Sequence, residues 1–512
     1  MAFGSKKSKY GLQASTAKKI KKLGEEVTFS ERPDRTFNVK AFGAKGNGQA
    51  DDWRALQQAI AFAYNKQGGG TLFFPPGLYR ISEPLEVPEV DSEKQTIVSW
   101  VGYSDQTTII APSKPMDYLV RMRGGDGGIK GIRFMGSDPG NGFVRNAKVC
   151  MIASDIRNKV FSNTSFSWGI VHGLQILEEG NNNLCVFDQS CKFEQNGKVL
   201  TGTDARGSGN EITFSSLNME RDNVQAGAFI KIGTGTGSVY HIDEVSGSGI
   251  KVSPGLKNTF RAGTEYKLHL GSGLQIDRGS DNNVYGIYDC HFVGNAGAGL
   301  VQRGLYGHNI QGGNFDSNGI AGIHIGSGTL NTTPSYSNTI HHAYFEANGY
   351  ANVILDYPSG LSIIDPLLAK PTDGTGGGVD SIMSLRNLPF DYMTTSIIYN
   401  GRTYQYVHAT NGSFTFGAET GPRIFVNQPA NAIGPAVIRL PAPPAHEFGE
   451  ELEIFVEDSG GLPVQLVSDF AEVNRVNGRF GIEAPAGLGY KITAFYSRRH
   501  RSWMVSHTTP LV

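Results

Sequence analysis

Cysteine is scarce in this chain: four residues in 512, at positions 150, 185, 191 and 290. They form no C-x-x-C pair and stand in no His-rich spacing, so a metal site or redox dithiol is not expected, and they read as buried free thiols that imply no oxidising compartment. Long apolar runs are missing too. None approaches 18 residues, which gives no candidate for a membrane-spanning helix. The N-terminus carries no apolar signal segment, so action outside a cell is expected to use an exit other than a cleaved signal in this chain. Nor is there an excess of one charge: 46 Lys and Arg against 47 Asp and Glu leave a net charge of −1, which argues against a nucleic-acid or membrane-surface binder. No cofactor is expected. Glycine is what the chain has in quantity, 67 residues, about twice the usual share.

The stretch from Asp281 to Asp356 repeats itself. Its copies DNNVYGIYDCHFVGNAGAGLVQ, HNIQGGNFDSNGIAGIHIG and SNTIHHAYFEANGYANVILD each open on Asn (283, 309, 338), run to an aromatic (Phe292, Phe315, Phe345) and turn at a second Asn (295, 318, 348). Two upstream segments fit the same template, NNNLCVFDQSCKFEQNGKVL around Phe193 and NEITFSSLNMERDN around Met219, so the opening Asn residues step by 27, 73, 26 and 29. A unit of that length with no helical period and Gly in its turns predicts a coil of short strands, a solenoid. Strand alternation puts each aromatic inside with the residue two before it: Cys191 with Phe193, Leu217 with Met219, Cys290 with Phe292, Ala343 with Phe345. Asn residues stacked at equivalent corners are expected to hydrogen-bond in ladders.

The outward column beside the core aromatic then holds Glu194, Glu220, Val293, Asp316 and Glu346. Strands about 4.8 Å apart make a broad, shallow face suited to a linear polymer. Sugar cleavage needs two carboxylates, roughly 5 Å apart for retention or 6.5 to 9.5 Å for inversion, and stacked carboxylates raise one another's pKa. Glu220 and Asp222 depart from the repeat, since Asp stands where other units carry Asn; along an extended strand they would lie about 6.5–7 Å apart. Asp also accepts the turn geometry of Asn. The candidate catalytic residues are Glu220, Asp222, Asp316 and Glu346. The candidate substrate-binding residues are Glu194 and, from a second outward column of Lys231, Gln275, Asp277, His324 and Asp356, the three positions Asp277, His324 and Lys231. His324 or Lys231 could serve as the base of a lyase, although solvated strand residues also fit these positions. Trp168, Tyr306 and Tyr336 are aromatics able to stack on sugars. His341 and His342 have no partner at metal-ligand spacing.

At the N-terminus, residues 1–33 carry seven lysines before the first acid, Glu25, a basic arm that is either an attachment segment or a solvated tail. Residues 37 to 87 read as a Gly-rich turn, a helix from Trp53 to about Asn65 N-capped by Asp51 or Asp52, and the strand–turn–strand TLFFPPGLYRI. The segment FNVKAFGAKGNGQADDWRALQQAI followed by TLFFPPGLYRI resembles the opening cap of the pectate-lyase-like right-handed parallel β-helix superfamily. The resemblance implies an all-β chain, a right-handed parallel β-helix (single-stranded solenoid) with a short N-terminal capping helix, and makes Asp51 and Asp52 helix-capping residues. That superfamily includes pectinases, epimerases and phage tailspikes, so fold alone leaves activity open. The Gly-His-Gly and Arg-Ile-Lys motifs of its polygalacturonase branch are absent; Gly307 and His308 are followed by Asn309.

Residues 226–273 break the period and read as a small β-domain inserted in the coil, and 371–398 as a linker. From Tyr399 strands alternate with Pro and Gly turns. There AVIRLPAPPAHEFGEELEIFVEDSGGLPVQLV, with RVNGRF, GLGYKITAFYS and RRHRSWMVS, resembles the distal β-domain of phage tail fibres and tailspikes, expected to be antiparallel. The organisation expected is thus a virion-attaching arm (1–33), a cap (34–95), the β-helix (96–370), the linker, and a C-terminal β-domain (399–512) for trimerisation or receptor binding. The resemblance implies a bacteriophage tailspike in the virion, a parallel homotrimer whose arm contacts other tail or baseplate proteins. Its partner would be a bacterial surface polysaccharide, with neither nucleic acid nor membrane, depolymerised by paired-carboxylate hydrolysis or by β-elimination. The rivals are a receptor-binding or structural tail protein without catalysis, and a polysaccharide lyase or epimerase outside any virion.

Overall fold

The computed structural model describes residues 35–372, apart from 66–68, 90–96, 125–126, 189, 235–237, 254, 257, 279–281, 284, 304–306, 327–334, 337, 357, 360 and 370, and beyond 372 the strands alone. The basic arm and most of the linker lie outside these residues, as do Tyr306 and the side chain of Tyr336.

Each turn of the chain lays down one short strand on each of three parallel sheets. Asn309–Gln311, Asn314–Asp316 and Ala321–Gly326 follow one another, and each pairs in parallel with its counterpart one turn later, Thr339–His341, Tyr344–Glu346 and Ala351–Asp356. Repetition builds a second sheet of 10 strands and a third of 9, the architecture of a parallel β-helix. Register is set by the interior. Phe134, Phe166, Phe193, Phe292, Phe315 and Phe345 are partners along the second sheet and pile up with ring centroids 4.7 to 5.5 Å apart. Cys191, Cys290 and Ala343 are fully buried beside them, as alternation requires, and all four cysteines are free and buried.

The corner between the second and third sheets carries the predicted ladder. Asn196, Asn295, Asn318 and Asn348 are buried, and the Nδ2 of each of the first three donates to the Oδ1 of the next at 2.9 to 3.0 Å. The same amides also donate to core carbonyls one turn back, as Asn318 does to Phe292 O at 2.9 Å. To bring each Asn inward, the residue before it takes a left-handed backbone: φ is 58° at Gln195, 65° at Gly294, 55° at Ser317 and 49° at Ala347. A second, shorter ladder joins Asn182 Nδ2 to Asn282 Oδ1 at 2.6 Å.

The capping helix Trp53–Tyr64 closes the first turn and buries Leu56, Ile60 and Ala63. The two acids before it divide their work: Asp51 accepts the Trp53 N–H at 3.1 Å, whereas Asp52 reaches back to the Lys45 and Gly46 N–H groups at 2.5 and 2.9 Å.

Three expectations are corrected. The inserted domain runs from Lys198 to Leu270, not 226 to 273, as a seven-stranded sheet with antiparallel pairing throughout. The segment around Met219 is therefore part of that domain, with Met219 and Leu217 in its separate core, and no turn of the coil lies between Phe193 and Phe292. A strand followed by a buried sulfur side chain and an Asn-bearing turn has the same local pattern in either setting, and only the pairing partner separates them. Second, Ile382–Met383 pairs in parallel with Val353 and Ile354, and Thr394–Tyr399 with Leu361–Ile364, so the coil continues into the expected linker. Third, the C-terminal strands mix both modes: Glu451–Asp458 runs antiparallel to Leu488–Ser497 but parallel to Arg423–Asn427.

Candidate functional site

Two polar surfaces flank the Asn corner. The first is the outer face of the second sheet. Ser167, Glu194, Val293, Asp316 and Glu346 are successive partners along it, so the acids occupy one straight column. Asp316 and Glu346 stand on neighbouring strands, whose backbones are about 4.8 Å apart, whereas Val293 separates Glu194 from Asp316. Beside this column run Lys192, His291, Asn314 and Tyr344. The Tyr344 hydroxyl donates to Glu346 Oε2 at 2.6 Å, and that hydrogen bond, with the negative charge around it, holds the phenol above its ordinary range.

Glu220 and Asp222 do not join the column. They sit on an exposed turn of the inserted domain, closed by Asp222 N–H to Asn218 O at 2.8 Å and by Asn218 N–H to Asp222 Oδ2 at 2.9 Å. The Arg221 guanidinium, 3.0 Å away, holds the Asp222 carboxyl below the usual carboxylate range. The extended-strand spacing assumed for the pair does not apply, because residues 219–223 turn instead of running straight.

The second surface lies where the inserted domain folds back over the third sheet. Phe229 and Val239 pack against Ala298, Val301, Ala321 and Ile354 there. His324 is 1 % exposed beneath them, its ring 5.3 Å from Phe229 and 5.5 Å from His241, so it is a packing residue of this junction and not part of an open groove. Lys231 is also removed from the expected column: it stands on the inserted strand Phe229–Ile232, opposite Val239 and Lys267. Gln275 and His324 do share a column, through Val301.

Where this packing ends, a small cleft opens between Gln225–Ala228 of the inserted domain and His172, Gln175, Ser272, Gln275, Asp277 and Arg303. Asp277 is its carboxylate, accepting from the Gln175 amide at 2.7 Å and the Gln275 amide at 2.9 Å. His172 accepts the Ser272 N–H at Nδ1, 3.1 Å, and meets the Gln225 amide at Nε2, 2.9 Å. Burial first, then the Arg303 charge, bring the imidazole down to about 3, so it is neutral and poorly basic. Of this cleft the sequence reading takes in Asp277 as a candidate and Gln275 as a member of its column. The signal for the rest was present in the matching strings HGLQIL and SGLQID, 100 residues apart, which place His172 opposite Ser272 and Gln175 opposite Gln275.

At the corner beside the cleft, a hairpin of Ser137–Asp138 and Val144–Arg145 projects from the preceding turn. Its Phe143 is 53 % exposed and leans on Trp168, centroids 6.4 Å apart, while the Arg145 guanidinium lies 5.2 Å over the Trp168 ring. Among the described residues no cluster of His, Cys, Asp and Glu has the arrangement of a metal site.

Residues 36–226 match the family model described as rhamnogalacturonase A/epimerase, pectate lyase-like. Over 46 residues the chain is 56 % identical to alginate lyase 7 of Azotobacter vinelandii, and over 92 residues 30 % identical to plasmin and fibronectin-binding protein A of Streptococcus pneumoniae. These alignments cover 9 % and 17 % of this chain and 5 % and 13 % of those relatives, so the chain spans only a small part of their length. Among solved structures it is similar to ORF18 of Geobacillus virus E2, with 13 % identity, a TM-score of 0.43 and coverage of 95 % and 74 %. It is likewise similar to the mannuronan C-5 epimerase AlgE4 A-module of Azotobacter vinelandii, with 14 % identity, a TM-score of 0.42 and coverage of 84 % and 94 %. With the pectate-lyase-like pattern matched over residues 36–226 and the same coil continued through the rest of the described solenoid, the chain is a parallel β-helix protein whose first turns are similar to that family.

Proposed function

We propose that the chain binds and depolymerises a bacterial surface polysaccharide as a trimeric phage tailspike, by glycoside hydrolysis on the outer face of the second sheet. The observation that carries this reading is the in-register pair Asp316 and Glu346, one strand spacing apart on an open polar face. Side chains leaving the same face of adjacent strands, whose backbones are about 4.8 Å apart, can bring their carboxyls to the roughly 5–5.5 Å at which two carboxylates act with retention of configuration. In this reading Glu346, positioned by the Tyr344 hydroxyl, attacks the anomeric carbon. Asp316 protonates the leaving oxygen and then takes a proton from the water that releases the glycosyl group. Glu194, two strand spacings from Asp316, binds the chain further along the same column. The epimerase and lyase descriptions of the matched family and of the Azotobacter relatives support a polysaccharide as the substrate.

Incubation with capsule or lipopolysaccharide preparations tests the reaction. New reducing ends without absorbance near 232 nm are expected; that absorbance would replace hydrolysis by β-elimination, and retention without cleavage would leave a receptor-binding protein. Glu346→Gln and Asp316→Asn should each lower kcat at least about 10³-fold, and cleavage that survives both would remove the pair from the mechanism.

A further inference from the structure

The corner between the hairpin and the inserted domain, which Arg145 ties down by donating to Gly169 O and Gly197 O, presents an exposed aromatic ring. We infer that it is a saccharide subsite, in which Phe143, backed by Trp168, offers a stacking face and Gln225, Gln175, Gln275 and Asp277 read ring hydroxyls. The inference rests on the polysaccharide reading above and assigns it a second binding place.

Three observations point the same way. Phe143 is 53 % exposed and has φ 60°, a left-handed conformation that is strained for an aromatic residue, so the hairpin holds a large apolar ring out in solvent. The cleft beside it is lined by the Gln175, Gln225 and Gln275 amides and the Asp277 carboxylate together with His172 and Arg303, and Gln275 is only 4 % exposed and therefore built into the fold. Each amide offers both a donor and an acceptor, and a carboxylate holding two amide N–H groups keeps lone pairs for hydroxyl donors. Such a set complements vicinal hydroxyls, whose O–H groups both give and take hydrogen bonds, while an aromatic face receives the C–H side of a pyranose.

Trp168, on which Phe143 leans, belongs to the turn carrying Ser167, and the proposed cleavage pair lies three and four turns further along the same column. That separation is about 14–19 Å at the strand spacing, a distance that a few units of a polymer bridge. The subsite would thus anchor the polymer while the carboxylates act downstream.

Saturation-transfer NMR on the full chain, with the methyl pyranosides of glucose, galactose, mannose, rhamnose and glucuronate as probes, tests this. At least one is expected to bind. Gln225→Ala and Phe143→Ala, both at exposed positions, should together weaken that binding at least tenfold with an unchanged unfolding midpoint, and Asp277→Asn should do the same for the hydroxyl contacts. Binding that persists in these variants, or failure of every probe, overturns the subsite. Running the same titration on Glu346→Gln separates the two proposals: pyranoside binding with no cleavage by wild type leaves the subsite and removes the hydrolase, and cleavage without pyranoside binding does the reverse.

Discussion

Asn318 shows how much one residue can carry in a coil. Its Nδ2 serves both Phe292 O and Asn348 Oδ1, and its Oδ1 takes the N–H and the amide of Asn295. Asn318→Ala therefore strands buried partners on both neighbouring turns and should cost about 2–4 kcal/mol, read as a lowered denaturant midpoint. Asn→Asp at the same site should be worse, since a carboxylate cannot donate to Phe292 O. Titration gives a second residue-scale prediction. His172 and His308 are buried and both pushed down to about 3, by burial foremost and at His172 also by the Arg303 charge. Each takes a proton near pH 6.5 once the chain unfolds, so the unfolded state binds more protons between pH 6.5 and about 3, and stability falls on acidification through that window. Urea midpoints measured from pH 7 to 4 should drop, and His308→Gln should flatten the slope.

At the scale of elements, the coil was legible because its determinants are local and recurrent. On the turns of Phe193, Phe292, Phe315 and Phe345, the Phe and an Asn three residues after it, following a left-handed residue, declare a corner. The inserted domain was legible only in part, because its boundaries depend on which strands pair: Lys198 stands opposite Leu270, and nothing near either residue announces the partner. The acids Glu220 and Asp222 failed for the same reason, a turn and a strand being alike over four residues. His172 and Gln175 escaped notice because polar side chains on an outer strand read as solvated until a second element is seen to cover them. The pairing of Lys198 with Leu270 also makes a prediction. Joining Gly197 to Gly271 should leave a folded coil, seen as a retained far-UV strand spectrum and cooperative melt. It should uncover Val301 and Ile354, raise binding of an apolar dye and abolish the pyranoside binding assigned to the cleft.

For the whole molecule, a coil contacts only its own neighbouring turns, so stability accumulates along the axis and a lesion is felt first where it is made. The proposed tailspike assembly predicts a light-scattering mass three times the 55.2 kDa chain; a monomer at micromolar concentration would remove that assembly.

Both outgrowths leave the coil between a second-sheet strand and the third-sheet strand that follows it, and the larger comes back beside the point it left, so the winding resumes as though nothing had intervened. The rod thus works as a handle with a changeable head. On the saccharide reading proposed above, exchanging the graft would change the preferred sugar, while the Phe and Asn residues along the axis keep their seats.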